Sequence, residues 1–500
     1  MSYELSRRDF LVLSGAFTGL SGCRGLPFVG VAAGAEPNLR FGVVSDMHLT
    51  RVPGEAGDRQ DLAPLQRAFD YFRDRGADAV VIAGDMADMG FVGQLESVAR
   101  AWELSFPESH APDGRHVERV FVTGNHDWEG CNYGKFPRSL HPDPDDFARN
   151  ALRTDYAGNW ERIFKEPYQR VYLKRVKGYA FVGAHWHPDF LERSCRGEDE
   201  PFNSHVAEFY AEHGAELAGE RPFFHVQHPH PKGTVFGPWA SCDDGKTTRI
   251  LSAFPNAVAI SGHSHLSLTD ERAIWQGGFT SIAAGSLLYT GLPTHELPEP
   301  GYENVGGRKT PFDREKMMVE TDHPWIRAAQ QGLFISVWDD RMEVERMDFG
   351  NVVPIGTSWV VPIGDPSDRP FDPVRRDVRV PIPEFVDQRP IRVNAGRAKN
   401  RAGVERSVLS VEIPSARTAT EAHAYAYEVR ALDEGGRIVA VRRVMAADFN
   451  LPAPSVALLS RCVFAADELP VAVRFAVRPL NSVGVAGRER VSSLMRKECL

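Results

Sequence analysis

Five short runs of continuous apolar residues constrain this chain more than any other feature: Leu39–Ser45 (LRFGVVS), Ala79–Ala83 (AVVIA), Arg119–Thr123 (RVFVT), Pro222–Gln227 (PFFHVQ) and Ala257–Ser261 (AVAIS). None alternates polar with apolar residues, so each reads as a strand buried on both faces. Between the first two, Leu62, Leu65, Phe69 and Phe72 fall at helical spacing, with Gly76 as a stop. Leu95, Val98 and Trp102 mark a further helix after the second run. Strands alternating with helices specify an α/β domain.

Each of the five strands ends in side chains that bind metals or move protons. In order these are Asp46-Met47-His48, Gly84-Asp85-Met86-Ala87-Asp88, Gly124-Asn125-His126-Asp127, His228-Pro229-His230 and Gly262-His263-Ser264-His265. One such block alone means little, because an Asp after a strand is usually a turn or cap residue. Five in series at the carboxyl ends of buried strands mark the edge where α/β sheets place their sites. Carboxylate, imidazole and amide oxygen suit Mn²⁺, Fe²⁺ or Zn²⁺. The donors are too many for one ion with open positions, so two divalent ions are expected.

Composition narrows the function classes. The chain has 500 residues, 42% of them hydrophobic, which excludes a disordered chain and implies two or more domains. With 58 Lys and Arg against 67 Asp and Glu, the net charge is -9, so no nucleic-acid partner is expected. Of 17 histidines, only His423 lies beyond His323, which places the chemistry in the first part of the chain.

Elsewhere, hairpins are expected around Arg170–Ala184 and over Gly332–Phe349, turning at Asp339-Asp340. Thr290–Ala328 reads as a long irregular stretch, and residues 361–383 as a proline-rich linker. Beyond it, SVLSVEI, AYAYEVRAL, GRIVAVRRV and AVRFAVRPLN have the spacing of an all-β sandwich over 384–490, followed by a tail, 491–500. Its closing strand resembles that of a fibronectin type III module. His185, His187, Trp128 and Tyr133 are candidate pocket residues, each with packing as the plainer role, and Cys131, Cys195, Cys242 and Cys462 permit no deduced pairing.

Ser6-Arg7-Arg8-Asp9-Phe10-Leu11 and the apolar run after it resemble a twin-arginine export signal over residues 1–35. That resemblance implies the export machinery as a partner and a periplasmic or secreted location. Cleavage after Ala35 competes with lipidation of Cys23 as a membrane anchor.

The blocks DMH, GDMAD, GNHD, QHPHP and GHSH, in this order, resemble the calcineurin-like metallophosphoesterase superfamily over about residues 39–350. The resemblance implies two packed β-sheets flanked by helices, α/β/β/α, within a catalytic domain of 36–360. It assigns Asp46, His48 and His265 to one metal, Asp85 to both, and Asn125, His228 and His263 to the second. His230 is an alternative to His228, and His225 a more distant one. His126 then protonates the leaving oxygen, with Asp127 orienting its ring, and Asp88 caps a helix or orients a ligand histidine. The expected activity is hydrolysis of a small phosphoester by a metal-bound hydroxide. Alternatives are a phosphodiesterase for cyclic nucleotides or glycerophosphodiesters and, from another class, a non-catalytic cell-surface binding protein.

Overall fold

In a computed structural model, the chain is described over residues 36–50, 58–129, 155–186, 201–235, 243, 245–290, 329–364, 367–375, 379–400, 402–419, 422–451 and 459–496, the side chains of 58–61 and 201–204 excepted. The export signal, Cys23, Cys131, Tyr133, His187, Cys195, Cys242 and nearly all of the irregular 290–328 stretch lie outside these residues. The chain divides into Met1–Glu36 and a second unit, Pro37–Leu500, which contains every described strand and helix.

The first sheet has seven strands. Parallel β1 (Leu39–Val44), β2 (Ala79–Ala83) and β3 (Glu118–Val122) form one side. The second sheet runs through β4 (Val171–Val176), β5 (Tyr179–Ala184), β6 (Phe223–Gln227), β7 (Ala257–Ser261), β8 (Ile274–Gln276) and β9 (Thr280–Ala283), in the order β4-β5-β6-β7-β9-β8. The first sheet is completed by β10 (Gln331–Val337), antiparallel to β1, then β11 (Arg341–Asp348), β12 (Val353–Pro354) and β13 (Trp359–Pro362). Both expected hairpins are present, as β4–β5 and β10–β11.

Alternation within each strand explains the layers. Phe41, Val43, Val81 and Val120 face Phe181, Phe224, Val258 and Ile260 in one core between the sheets. The intervening Val44, Val80, Ile82 and Phe121 face the other way, under helices α1 (Asp58–Asp74) and α2 (Val92–Ser105). Helices α3 (Asn125–Glu129), α4 (Tyr156–Phe164), α5 (Pro201–Leu217) and α6 (Lys246–Leu251) complete the catalytic part. Strands of period two with both faces covered read as continuous apolar runs, which is the pattern seen in the sequence.

The proline-rich segment is no free spacer. Its first residues, Val361 and Pro362, pair with β11, and Phe371 exchanges hydrogen bonds with Gln276. Beyond it come many strands in sheets. After β14 (Glu384–Phe385), a three-stranded sheet contains β15 (Arg392–Lys399), β16 (Glu405–Ile413) and β20 (Ser460–Ala465). A five-stranded sheet contains β18 (Ala426–Leu432), β19 (Ile438–Met445), β21 (Ala472–Leu480), β22 (Arg490–Val491) and β23 (Met495–Arg496), and β17 (Ala416–Arg417) pairs with β14. Leu409, Val411 and Phe464 of one share a core with Tyr427, Val429 and Phe475 of the other. This C-terminal region meets the catalytic part directly: Arg272 donates to the Tyr425 hydroxyl at 3.0 Å, and Ser482 accepts from the Glu271 amide at 3.1 Å.

Phe41 lies 5.2 Å from Phe181 and 4.7 Å from Phe224, ring to ring, and ties the two sheets together. Truncation there leaves a cavity in a dry core. Phe41→Ala is expected to cost about 3 to 5 kcal/mol, read as a lower denaturant midpoint at unchanged slope. A loss below about 1 kcal/mol would show that the sheets are held elsewhere.

Candidate metal centre

All five ligand blocks follow the carboxyl ends of parallel strands, β1, β2 and β3 in one sheet and β6 and β7 in the other. Short backbone bonds lace these ends together: Asp46 N to Gly84 O at 3.1 Å, and Gly262 N to His228 O at 2.9 Å. Asp46, His48, Asp85, His263 and His265 all have φ between 42° and 67°. They are half of the ten non-glycine residues with positive φ among the described residues. Such conformations are uncommon for residues other than glycine, least so for Asn, Asp and His, and they concentrate at functional sites that the surroundings hold in place. Gly124 and Gly262 are needed for room, since a Cβ there would overlap the carboxylates of Asp85 and Asp46.

Three donor groups result, one of them His48 with Asp88 and His126 at the rim and the other two sharing Asp85. Asp46, His48, Asp85 and His265 offer atoms all within 4.8 Å of one another, and so do Asp85, His228 and His263. His265 Nε2 lies 3.0 Å from Asp46 Oδ1 and 3.1 Å from His48 Nε2. His228 Nε2 lies 3.1 Å from both Asp85 Oδ2 and Asn125 Oδ1, and His263 Nδ1 is 3.0 Å from Asn125 Oδ1. The seven side chains expected as ligands are thus brought together, and nitrogen with carboxylate and amide oxygen is a donor set that fits divalent transition metals.

The imidazoles are aimed from behind. His48 Nδ1 sits 3.2 Å from Asp88 Oδ1, His228 Nδ1 2.7 Å from Ala83 O, and His265 Nδ1 3.0 Å from Tyr289 O. An oxygen acceptor at Nδ1 fixes the proton there and leaves Nε2 to face the centre. Burial alone would raise Asp46, but the charge of His265 holds it down to about 2. Burial works against Asp85 as well, and His228 with His126 keeps it well below the ordinary carboxylate range. His228 is disfavoured as a cation by burial, yet the Asp85 charge lifts it to about 9. That proton occupies the position a bound cation would take, so cation binding there releases it. Burial holds His48 down and takes His263 to about 3, leaving both neutral as ligation requires.

One expectation needs correction. Asp127 does not orient the His126 ring: its carboxylate reaches back to the residue before α3 to accept from Gly124 N at 2.8 Å and across to Ala87 N at 2.7 Å. Both oxygens are spent on backbone, as for a capping residue in the first turn of a helix. Asp88 takes the orienting place, its carbonyl 2.9 Å and its Oδ1 3.5 Å from His126 Nδ1. His126 stands at the rim with its side chain 28% exposed, unlike the buried groups beneath it. His185 takes the plainer of its two expected roles, packing. It lies buried beneath Trp160 and Tyr168 and accepts the Thr123 amide at Nδ1. Trp128 is packing, stacked on Tyr156 at 3.9 Å. His230 turns away to the hydroxyls of Ser261 and Ser264, and His225 pairs with Tyr210 and Gln227.

Sequence reasoning missed Tyr289, whose ring centre lies 4.2 Å from that of His265. It also missed Trp186, 6.0 Å from His263. Both follow strands of the second sheet, β9 and β5, and that position was the available signal.

Burial, with Lys174 adding to it, pushes His185 down to about 3. It is neutral in the fold but protonates near 6.5 when unfolded. Its contribution to stability is therefore full above about pH 6.5 and is lost as pH falls toward 3, at up to about 1.4 kcal/mol per pH unit. His185→Asn keeps an acceptor for Thr123 and removes the titration. Denaturation at pH 6.5 and 4 should show a shallower loss in the variant than in wild type; equal losses would reject the assignment.

Residues 39–267 match the family described as calcineurin-like phosphoesterase. No curated protein matches the chain. Among solved structures, a dimetal phosphatase from Danio rerio shares 14% identity over 66% of this chain and 100% of its own, with a TM-score of 0.35. A conserved uncharacterized protein from Streptococcus pneumoniae shares 14% over 66% and 99%, at 0.24. GAP50, the anchor in the inner membrane complex of Plasmodium, shares 11% over 65% and 89%, at 0.36. With two donor groups meeting at Asp85 inside the matched family region, residues 39–267 form a calcineurin-like phosphoesterase domain, and the enzyme is a metallophosphoesterase.

Proposed function

We propose that this protein is an exported, two-metal-dependent hydrolase of small phosphoesters. The observation that carries the reading is the sharing of Asp85 between two converging donor groups. Asp46, His48 and His265 would hold one ion and Asn125, His228 and His263 the other, with Asp85 available to both. When bound, two divalent ions neutralise charge on the phosphoryl oxygens and lower the pKa of a shared water toward neutrality. The chain's own work is positioning. Asp88 receives the Nδ1 proton of His126 on its carbonyl, so Nε2 is the atom left to deliver a proton to the departing oxygen. The amide of His126 is bonded at 2.8 Å to Asp85 Oδ1, which fixes this residue relative to the shared carboxylate. Asp127 braces the backbone of the second and third blocks against each other.

Export rests on Arg7, Arg8 and the apolar run behind them, with cleavage after Ala35 or lipidation at Cys23 deciding between free and anchored forms. A folded export substrate fits a centre assembled from blocks more than 200 residues apart, which must be complete before it holds a cation.

Purified protein should contain about two divalent ions per chain and hydrolyse a chromogenic phosphoester, with activity lost to a chelator and restored by Mn²⁺ or Zn²⁺. Asp85→Asn and His263→Ala should each remove that activity while the unfolding transition persists. Full activity in either variant overturns the assignment, and a metal-free, inactive wild type favours a binding protein. Relative rates on mono- and diesters separate a phosphatase from a phosphodiesterase.

A further inference from the structure

Asn450 belongs to the C-terminal region, on the turn after β19, yet it is 2% exposed and its amide is spent on the catalytic part. Its Nδ2 donates to Thr290 Oγ1 at 2.6 Å. Its Oδ1 accepts from the Ser267 hydroxyl and, at 3.4 Å, from Thr269. Ser267 lies two residues past His265, and Thr290 adjoins Tyr289. One planar amide therefore joins the two turns between which His265 sits.

The turn from Ser286 to Thr290 is tied at its other end as well. Ser286 Oγ donates to Asp46 O at 3.0 Å and accepts from Leu288 N and Tyr289 N at 3.1 and 3.2 Å. The Tyr289 carbonyl accepts from His265 Nδ1, and its ring lies against the imidazole. Behind Asn450, buried Asp448 holds its own turn by accepting from Ser415 at 2.5 Å and lying 3.1 Å from His423 Nδ1.

We propose that Asn450 is a positioning residue for the metal centre. It clamps the Ser286–Thr290 turn against the turn that follows His265. The Tyr289 carbonyl then fixes His265 with Nε2 toward Asp46 and His48. The C-terminal region is in this sense part of the site, at the outer layer where partners set ligand orientation. The proposal rests on the assignment of His265 as a ligand, and its test separates the two ideas.

Full-length Thr290→Val and Asn450→Ala both remove the bond from Nδ2 to Thr290, and Asn450→Ala also removes the acceptor of Ser267 and Thr269. In the metal-free protein, each should speed hydrogen exchange of the Leu288 and Tyr289 amides about fivefold to tenfold, with β18 and β21 unmoved. Titration of the same proteins with Zn²⁺ alone should show one of two binding steps weakened about tenfold and the other unchanged. The double variant should match Asn450→Ala, because the Thr290 hydroxyl acts on this clamp through Asn450. Two normal Zn²⁺ steps with unchanged exchange at Leu288 and Tyr289 overturn the clamp alone. Equal weakening of both steps overturns it too, as a general loosening. A wild type that takes up no Zn²⁺ overturns the two-ion reading and, with it, the link from His265 to a cation.

Discussion

Seven donor atoms from five separate chain segments have to meet within a few ångströms, and the backbone at five of those residues is held at positive φ. Nothing local favours this. The cost of each such conformation is of order 1 to 3 kcal/mol, and it is carried by two sheets whose strands are buried on both sides. The bonds from Asp46 to Gly84 and from Gly262 to His228 show how the load is spread: each strand end is pinned to its neighbour before the side chains are presented. A rigid interior of this kind lets the ligands be exact in place without being relaxed in conformation.

The electrostatics obey the same logic. Asp46 and Asp85 are fully buried and remain ionised only because positive charge lies beside them. Buried carboxylates without such compensation would protonate. In the metal-free chain the compensation comes from histidine protons, above all that on His228, and cations replace those protons when they bind. The net charge of -9 therefore overstates the field at this rim, because two of the acids counted in it are neutralised where they stand.

Much of this was legible in the sequence because it is local. A buried strand followed at once by Asp, Asn or His places that residue at a sheet edge, and that signal picked out the seven side chains that the structure brings together. Direction was harder to read than position. Asp88 and Asp127 are the acids that close their ligand blocks, and spacing does not tell which one faces His126; the first turn of α3 sends Asp127 back to the amide of Gly124 instead. Spacing left His185 open between pocket and packing, and the hairpin of β4 and β5 carries it under Trp160. Asn450 gave no signal at all, because its partners lie 160 and more residues away and its own surroundings read as an ordinary turn.

The pairing of β1 with β10 joins residues nearly three hundred positions apart, Leu39 beside Val337 and Val43 beside Leu333. During synthesis the first strand therefore lacks a neighbour on one edge until most of the catalytic part has left the ribosome. An unpaired, apolar edge is a template for wrong partners, and such distant contacts form slowly. Assembly of the first sheet is thus a late event, timed by the length of chain that separates its two central strands.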